Sequence, residues 1–131
     1  MTSHDLTSSL VIATEERYGD GDIIFEEGAA GDWIYVIVSG EIEIFKNIRG
    51  KKIVVDRLKK GELFGEVSFV DKEPRSAGAR AIGTTVLGIY DRTFLTEQYN
   101  RLPNDFRMIF DAMARRLRKM TMVAVNLAST K

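Results

Sequence analysis

The sequence predicts a mainly β chain that closes as a small barrel or jelly roll and is followed by two helices. Two observations carry this. All eleven glycines fall between Gly19 and Gly88, so the middle of the chain and its flanks are different structures. Within that interval short β-branched and aromatic runs recur, and beyond it the apolar period lengthens from two to seven.

The elements follow in order. Residues 23–25, 33–38, 41–46, 52–58 and 84–90 read as strands, because each is rich in β-formers and bounded by glycine, asparagine or aspartate. Glu41 and Glu43 alternate with Ile42 and Ile44, as expected of a strand with one wet face. Closely spaced strands of this kind form sandwiches and small barrels. Asp91 can then cap a short helix ending near Tyr99, and Pro103, Asn104 and Asp105 suit the first turn of a second. That second helix is expected to reach about Leu127, a length of roughly 37 Å at about 1.5 Å per residue.

Along it Phe106, Phe110, Met113, Leu117, Met120, Ala124 and Leu127 alternate spacings of four and three, a heptad seam. Three readings of the seam stay open: a helix laid on its own barrel, a parallel homodimer through paired helices, or both surfaces used at once. Arg115, Arg116, Arg118 and Lys119 on the same helix read as a solvated or partner-facing basic cluster.

Whole-chain composition bounds the function. With 131 residues, 44% of them hydrophobic and 29% charged, one globular domain is the expectation over 1–131. Its β part covers about 19–90 and its helices about 91–127. Nineteen basic and nineteen acidic side chains cancel, so no overall field draws the chain onto nucleic acid or an anionic membrane, and anion binding has to be local. There is no cysteine for thiolate or disulfide chemistry. The single histidine, His4, stands near the N-terminus and reads as solvated, which leaves no metal site. No apolar run approaches the eighteen or so residues that span a bilayer, and the N-terminus lacks a signal-peptide pattern, so a cytoplasmic location is expected.

The chemistry concentrates in 61–81, GELFGEVSFVDKEPRSAGARA. Phe64, Gly65 and Glu66 supply a flexible backbone and one acceptor-only carboxylate. Pro74, Arg75 and Ser76 supply a rigid approach, a planar five-donor cation and a hydroxyl. A guanidinium matches the two exocyclic oxygens of a cyclic phosphodiester with parallel hydrogen bonds, and the Ser76 hydroxyl and the Ser76 and Ala77 amides can donate to the same oxygens. If Gly65 and Glu66 open a short helix through Phe69, its free N–H groups face the same anion. Glu66 can accept from a ribose 2′-hydroxyl, while Phe64, Val67 and Phe69 make the surroundings apolar.

The spacing of Phe64-Gly65-Glu66 from Arg75-Ser76-Ala77, with Gly61 before and Arg80-Ala81 after, strongly resembles the phosphate-binding segment of the cyclic-nucleotide-binding domains. The upstream run 18–45 is similar to the opening strands of that family, with Gly28, Gly31, Tyr35 and Gly40 on its usual pattern. The resemblance implies an eight-stranded β-roll flanked by an N-terminal helix and two C-terminal helices, without catalysis, that binds a cyclic purine nucleotide. By position it assigns Glu66 to the ribose hydroxyl, and Arg75, Ser76 and Ala77 to the phosphate. The long last helix, whose Met113-Ala114-Arg115-Arg116-Leu117 is similar to that of the family's bacterial activators, becomes lid and dimer contact.

Two departures qualify the match. Where bacterial activators place a Thr-Ser pair against the base, this chain has Met120 and Thr121, which weakens the base contact or moves it across a dimer. Three residues beyond Arg75 many members carry a threonine associated with guanine preference; here Gly78 removes that contact, so cyclic AMP is favoured over cyclic GMP. The sequence ends four residues after Leu127, without a winged helix, so direct nucleic-acid binding is not expected and an effector protein of unspecified kind is the implied partner. The alternative is a structural or dimerisation module of the same fold that no longer binds nucleotide. A cupin-type enzyme would need several histidines.

Overall fold

A computed structural model of the chain describes residues 12–129, the side chains at 124, 125, 128 and 129 excepted. His4 lies outside the described residues, as does any helix within 1–11; the described chain opens instead with a strand. Its elements are β1 (Ile12–Tyr18), β2 (Ile23–Phe25), β3 (Tyr35–Ile48), β4 (Lys51–Lys59), β5 (Leu63–Phe64), α1 (Glu66–Asp71), β6 (Gly78–Tyr90), α2 (Arg92–Arg101) and α3 (Asn104–Ser129).

The strands form one antiparallel six-stranded sheet in the order β1-β6-β3-β4, with β2 also on β6 and β5 also on β3. The sheet therefore begins at Ile12 rather than near Gly19. The long strand β6 needs a partner on its outer edge, and β1 supplies it from Ile12 opposite Tyr90 to Tyr18 opposite Thr85. The expected runs 33–38 and 41–46 fuse into β3, which bends at Gly40. There φ is +94° and an added Cβ would stand 2.5 Å from Thr85 Oγ1, so the bend admits no side chain. β6 likewise passes through Gly83 at φ +69°. Between β3 and β4, Arg49 and Gly50 both have positive φ, the backbone of a two-residue hairpin turn whose twist matches its strands.

Ile37, Ile42, Phe64, Ala79, Ala81 and Leu87 form the core, ringed by Tyr18, Phe25, Tyr35 and Leu58. The alanines of β6 leave room for aromatic rings. Tyr35 stacks on Phe64 at 5.1 Å between centroids, and Phe25 packs against both.

The polar face of β3 is not wet throughout. Glu43 is 2% exposed and lies among Lys52 at 2.7 Å, Arg80 at 3.3 Å and Arg57 at 3.6 Å. Burial raises its pKa, but the Lys52 hydrogen bond and the three cations prevail and hold its carboxyl below the ordinary range.

Both helices start as their sequences require. The Asp91 side chain accepts from Phe94 N at 3.0 Å and caps α2. α3 packs on α1 and β4 through Ala114 and the row that contains it, whereas Phe106, Met113, Leu117, Met120 and Leu127 are all more than half exposed. The seam is therefore mostly exposed, although Leu117 lines a cavity of the domain and the Phe110 ring lies 6.3 Å from that of Tyr99. The seam is interleaved with a second row of the same spacing, Arg107, Asp111, Ala114, Arg118 and Thr121, and this row is the more buried of the two.

Candidate functional site

A cavity of about 330 Å³ opens between the sheet, α1 and α3, within the range of about 300–1,000 Å³ common for small-molecule sites. Phe64, Gly65, Glu66, Val67, Arg75, Ser76 and Ala77 all line it, so the two halves of 61–81 meet in space. The loop between them is short enough for α1 to lead away from the cavity floor and for 72–77 to return alongside.

Arg75 is 5% exposed. Its Nη1 donates to Gly65 O and its Nη2 to Trp33 O, both at 2.9 Å, and its guanidinium lies 4.2 Å above the Phe25 ring. Two of its five N–H donors are engaged by these bonds. Desolvation lowers its pKa, against the pull of Tyr35, Asp32 and Glu66. Gly65 is required here: φ is +89°, and a Cβ would come within 2.7 Å of Trp33 O and 2.9 Å of Arg75 Nη1.

Glu66 is half-buried. Burial raises its pKa, against the lowering influence of the nearby Glu66 and Val67 backbone and the charge of Arg75. Among the described residues no side chain caps the start of α1. The cavity accordingly offers a buried guanidinium and, near it, a half-buried carboxylate acceptor, a layout suited to an anion carrying a hydroxyl.

Leu117 and Thr121 of α3 form the outer wall, and Thr121 Oγ1 donates to Leu117 O at 3.0 Å. Met120, expected beside Thr121 at the lid, is absent from the lining and is 60% exposed. Val55, Asp56 and Leu58 of β4 complete the opposite wall. These three were not singled out from sequence, since nothing local marks one residue of an alternating strand as cavity-facing.

Arg118 corrects another expectation. It is not part of a solvated basic surface: its Nε and Nη2 donate to the two Asp71 oxygens at 2.9 Å each, and its Nη1 to Pro74 O at 2.7 Å. Burial would raise the Asp71 pKa, but Arg118, the Glu73 amide and Arg115 hold it below the ordinary value. One guanidinium thus ties α3 to the last residue of α1 and to the residue before Arg75.

The model of the cyclic nucleotide-binding domain matches residues 15–101, which include every cavity residue except the two from α3. The chain belongs to the cyclic nucleotide-binding domain family. It is 35% identical over 104 residues to a cyclic AMP receptor protein of Thermus thermophilus, covering 78% of this chain and 48% of that protein. Against a CRP-like cAMP-activated global transcriptional regulator of Mycobacterium tuberculosis it is 30% identical over 100 residues, covering 76% of this chain and 45% of the relative. The chain thus spans about half the length of these curated relatives.

Among solved structures, the cAMP-bound form of the EAL enzyme Bd1971 superposes with a TM-score of 0.80 at 28% identity, over 86% of this chain and 30% of that one. The Thermus thermophilus catabolite activator protein superposes at 0.66 with 32% identity, over 88% and 55%. The family domain is a regulatory ligand-binding unit rather than a catalytic one. Among the described residues no helix is long and apolar enough to cross a membrane.

Proposed function

We propose that this chain is a non-catalytic, single-domain regulatory module that binds a cyclic purine nucleotide, cyclic AMP in preference to cyclic GMP. The observation that carries the reading is that Arg75 and Glu66 line one cavity. The guanidinium neutralises the cyclic phosphate and the carboxylate accepts from the ribose 2′-hydroxyl, with Ser76 and Ala77 donating to the phosphate and Phe64, Gly65 and Val67 shaping the floor.

The base preference has a steric basis. A side chain at Gly78 would meet the Phe45 ring, its Cβ only 2.7 Å away, so no threonine hydroxyl reaches a guanine from there. Thr121 and Leu117 cover the base. Two relatives, a cyclic AMP receptor protein and a cAMP-activated regulator, support this choice of ligand.

The exposed seam of α3 serves as the contact of a parallel homodimer, so that the helix covering the cavity also joins two copies. Nucleotide shifts the position of α3 by binding one arrangement more tightly than the other, and an effector protein in the cytoplasm reads the change. Isothermal titration with cyclic AMP at about 0.1 mM protein tests the proposal. Heat with saturation is expected; no heat refutes it.

A second reading, a dimerisation module of this fold without nucleotide response, is favoured by one observation: Met120 stands where a base contact is expected and faces outward. Sedimentation with and without cyclic AMP separates the two, because only the sensor changes its association or shape with ligand.

A further inference from the structure

We infer that Lys46, remote in sequence from the phosphate-binding segment and outside the cavity lining, is a positioning residue for the anion site. Its aim is the Ala77 amide. This rests on the nucleotide-binding reading above and extends it to a residue of β3.

Lys46 is 8% exposed, unusual for a lysine. Its Nζ donates to Ser76 O at 2.8 Å and lies 3.0 Å from Glu27 Oε2. The Ser76 carbonyl is therefore drawn toward a residue that does not line the cavity. The Ser76–Ala77 peptide is trans, so the Ala77 N–H points the opposite way to that carbonyl, toward the cavity that Ala77 lines. Among the described residues no backbone acceptor takes this N–H, although Ala77 is 6% exposed.

A buried donor left without a protein partner is uncommon and calls for one from outside. An anionic oxygen supplies it. The ammonium also polarises the peptide it holds, because withdrawing density at the carbonyl strengthens the N–H as a donor. Glu27, half-exposed, balances the buried charge.

The test compares Lys46→Met with Glu27→Gln in the intact chain, titrating cyclic AMP and, separately, adenosine, which lacks the phosphate. Lys46→Met is expected to weaken cyclic AMP about tenfold, the scale of a charge-assisted hydrogen bond, and to leave adenosine within twofold. Glu27→Gln, which spares the bond to Ser76, is expected to stay within about threefold for both. In the wild-type protein the Ala77 amide resonance moves downfield on adding cyclic AMP and moves less in Lys46→Met, which reads the same contact without an affinity.

Equal losses for cyclic AMP and adenosine would reveal a general packing role and overturn the inference. So would a cyclic AMP affinity unchanged in Lys46→Met, with the binding proposal left standing. If the wild-type protein binds no cyclic AMP, both proposals fall together.

Discussion

Replacing Arg118 by methionine keeps most of the aliphatic stem and removes three hydrogen bonds that tie α3 to Asp71 and Pro74. The side chain of Asp71 has no exposed surface, so the substitution strands a carboxylate where water does not reach it. Breaking a buried pair from one side typically costs about 3–5 kcal/mol. Arg118 retains 20% exposure and Asp71 keeps the Glu73 amide, which places the expected loss near the lower end, about 3 kcal/mol at pH 7.

Its pH dependence has a definite sign. Asp71 is held below its ordinary pKa in the folded protein, so the pair stabilises fully above the unfolded carboxylate value of about 3.9 and loses its effect as pH falls through the lower folded value. In the variant the same carboxyl, buried and without its cation, titrates above that value, and protonation relieves it. Urea denaturation at fixed protein concentration should therefore show a gap between wild type and variant that is full at pH 7 and narrows in acid. Asp71→Asn in the Arg118→Met background should recover part of the loss, since no buried charge is then left unpaired. A difference below about 0.5 kcal/mol, the level of an exposed pair, would refute the reasoning.

Three further outcomes are expected. Arg75→Ala should weaken cyclic AMP by at least about thirtyfold in calorimetric titration, from a cost of about 2–5 kcal/mol for truncating one side of a buried charge pair, with circular dichroism unchanged. Glu66, whose pKa burial raises, should lose its acceptor role at a higher pH than an ordinary carboxylate does; cyclic AMP affinity falls as pH drops through that raised value, and Glu66→Gln flattens the profile. Because the raised folded value favours the protonated form, Glu66 itself adds stability on acidification rather than removing it. Met113→Glu, on the exposed seam and away from the cavity lining, should convert the proposed dimer to monomer in sedimentation velocity while the isolated fold persists.

Local chemistry alone accounts for much of this protein. Runs of β-formers between glycines became β2, β3, β4 and β6, Asp91 capped its helix, and 61–81 brought its carboxylate and guanidinium to one cavity because a short helix and return make that meeting nearly local. Other features depended on partners distant in the chain. Ile12–Tyr18 is a strand because β6 offers it an edge, and Glu43 is buried because Lys52, Arg57 and Arg80 arrive from other strands to cover it.

The helix α3 holds the clearest case. Its outward and inward rows share one spacing, so periodicity alone selects neither. The choice falls to Asp71, 47 residues earlier, whose buried carboxylate turns Arg118 inward. A pattern of side chains records what a segment can bury, but which of two equivalent faces it does bury is settled by charge and shape that only the assembled fold brings opposite it.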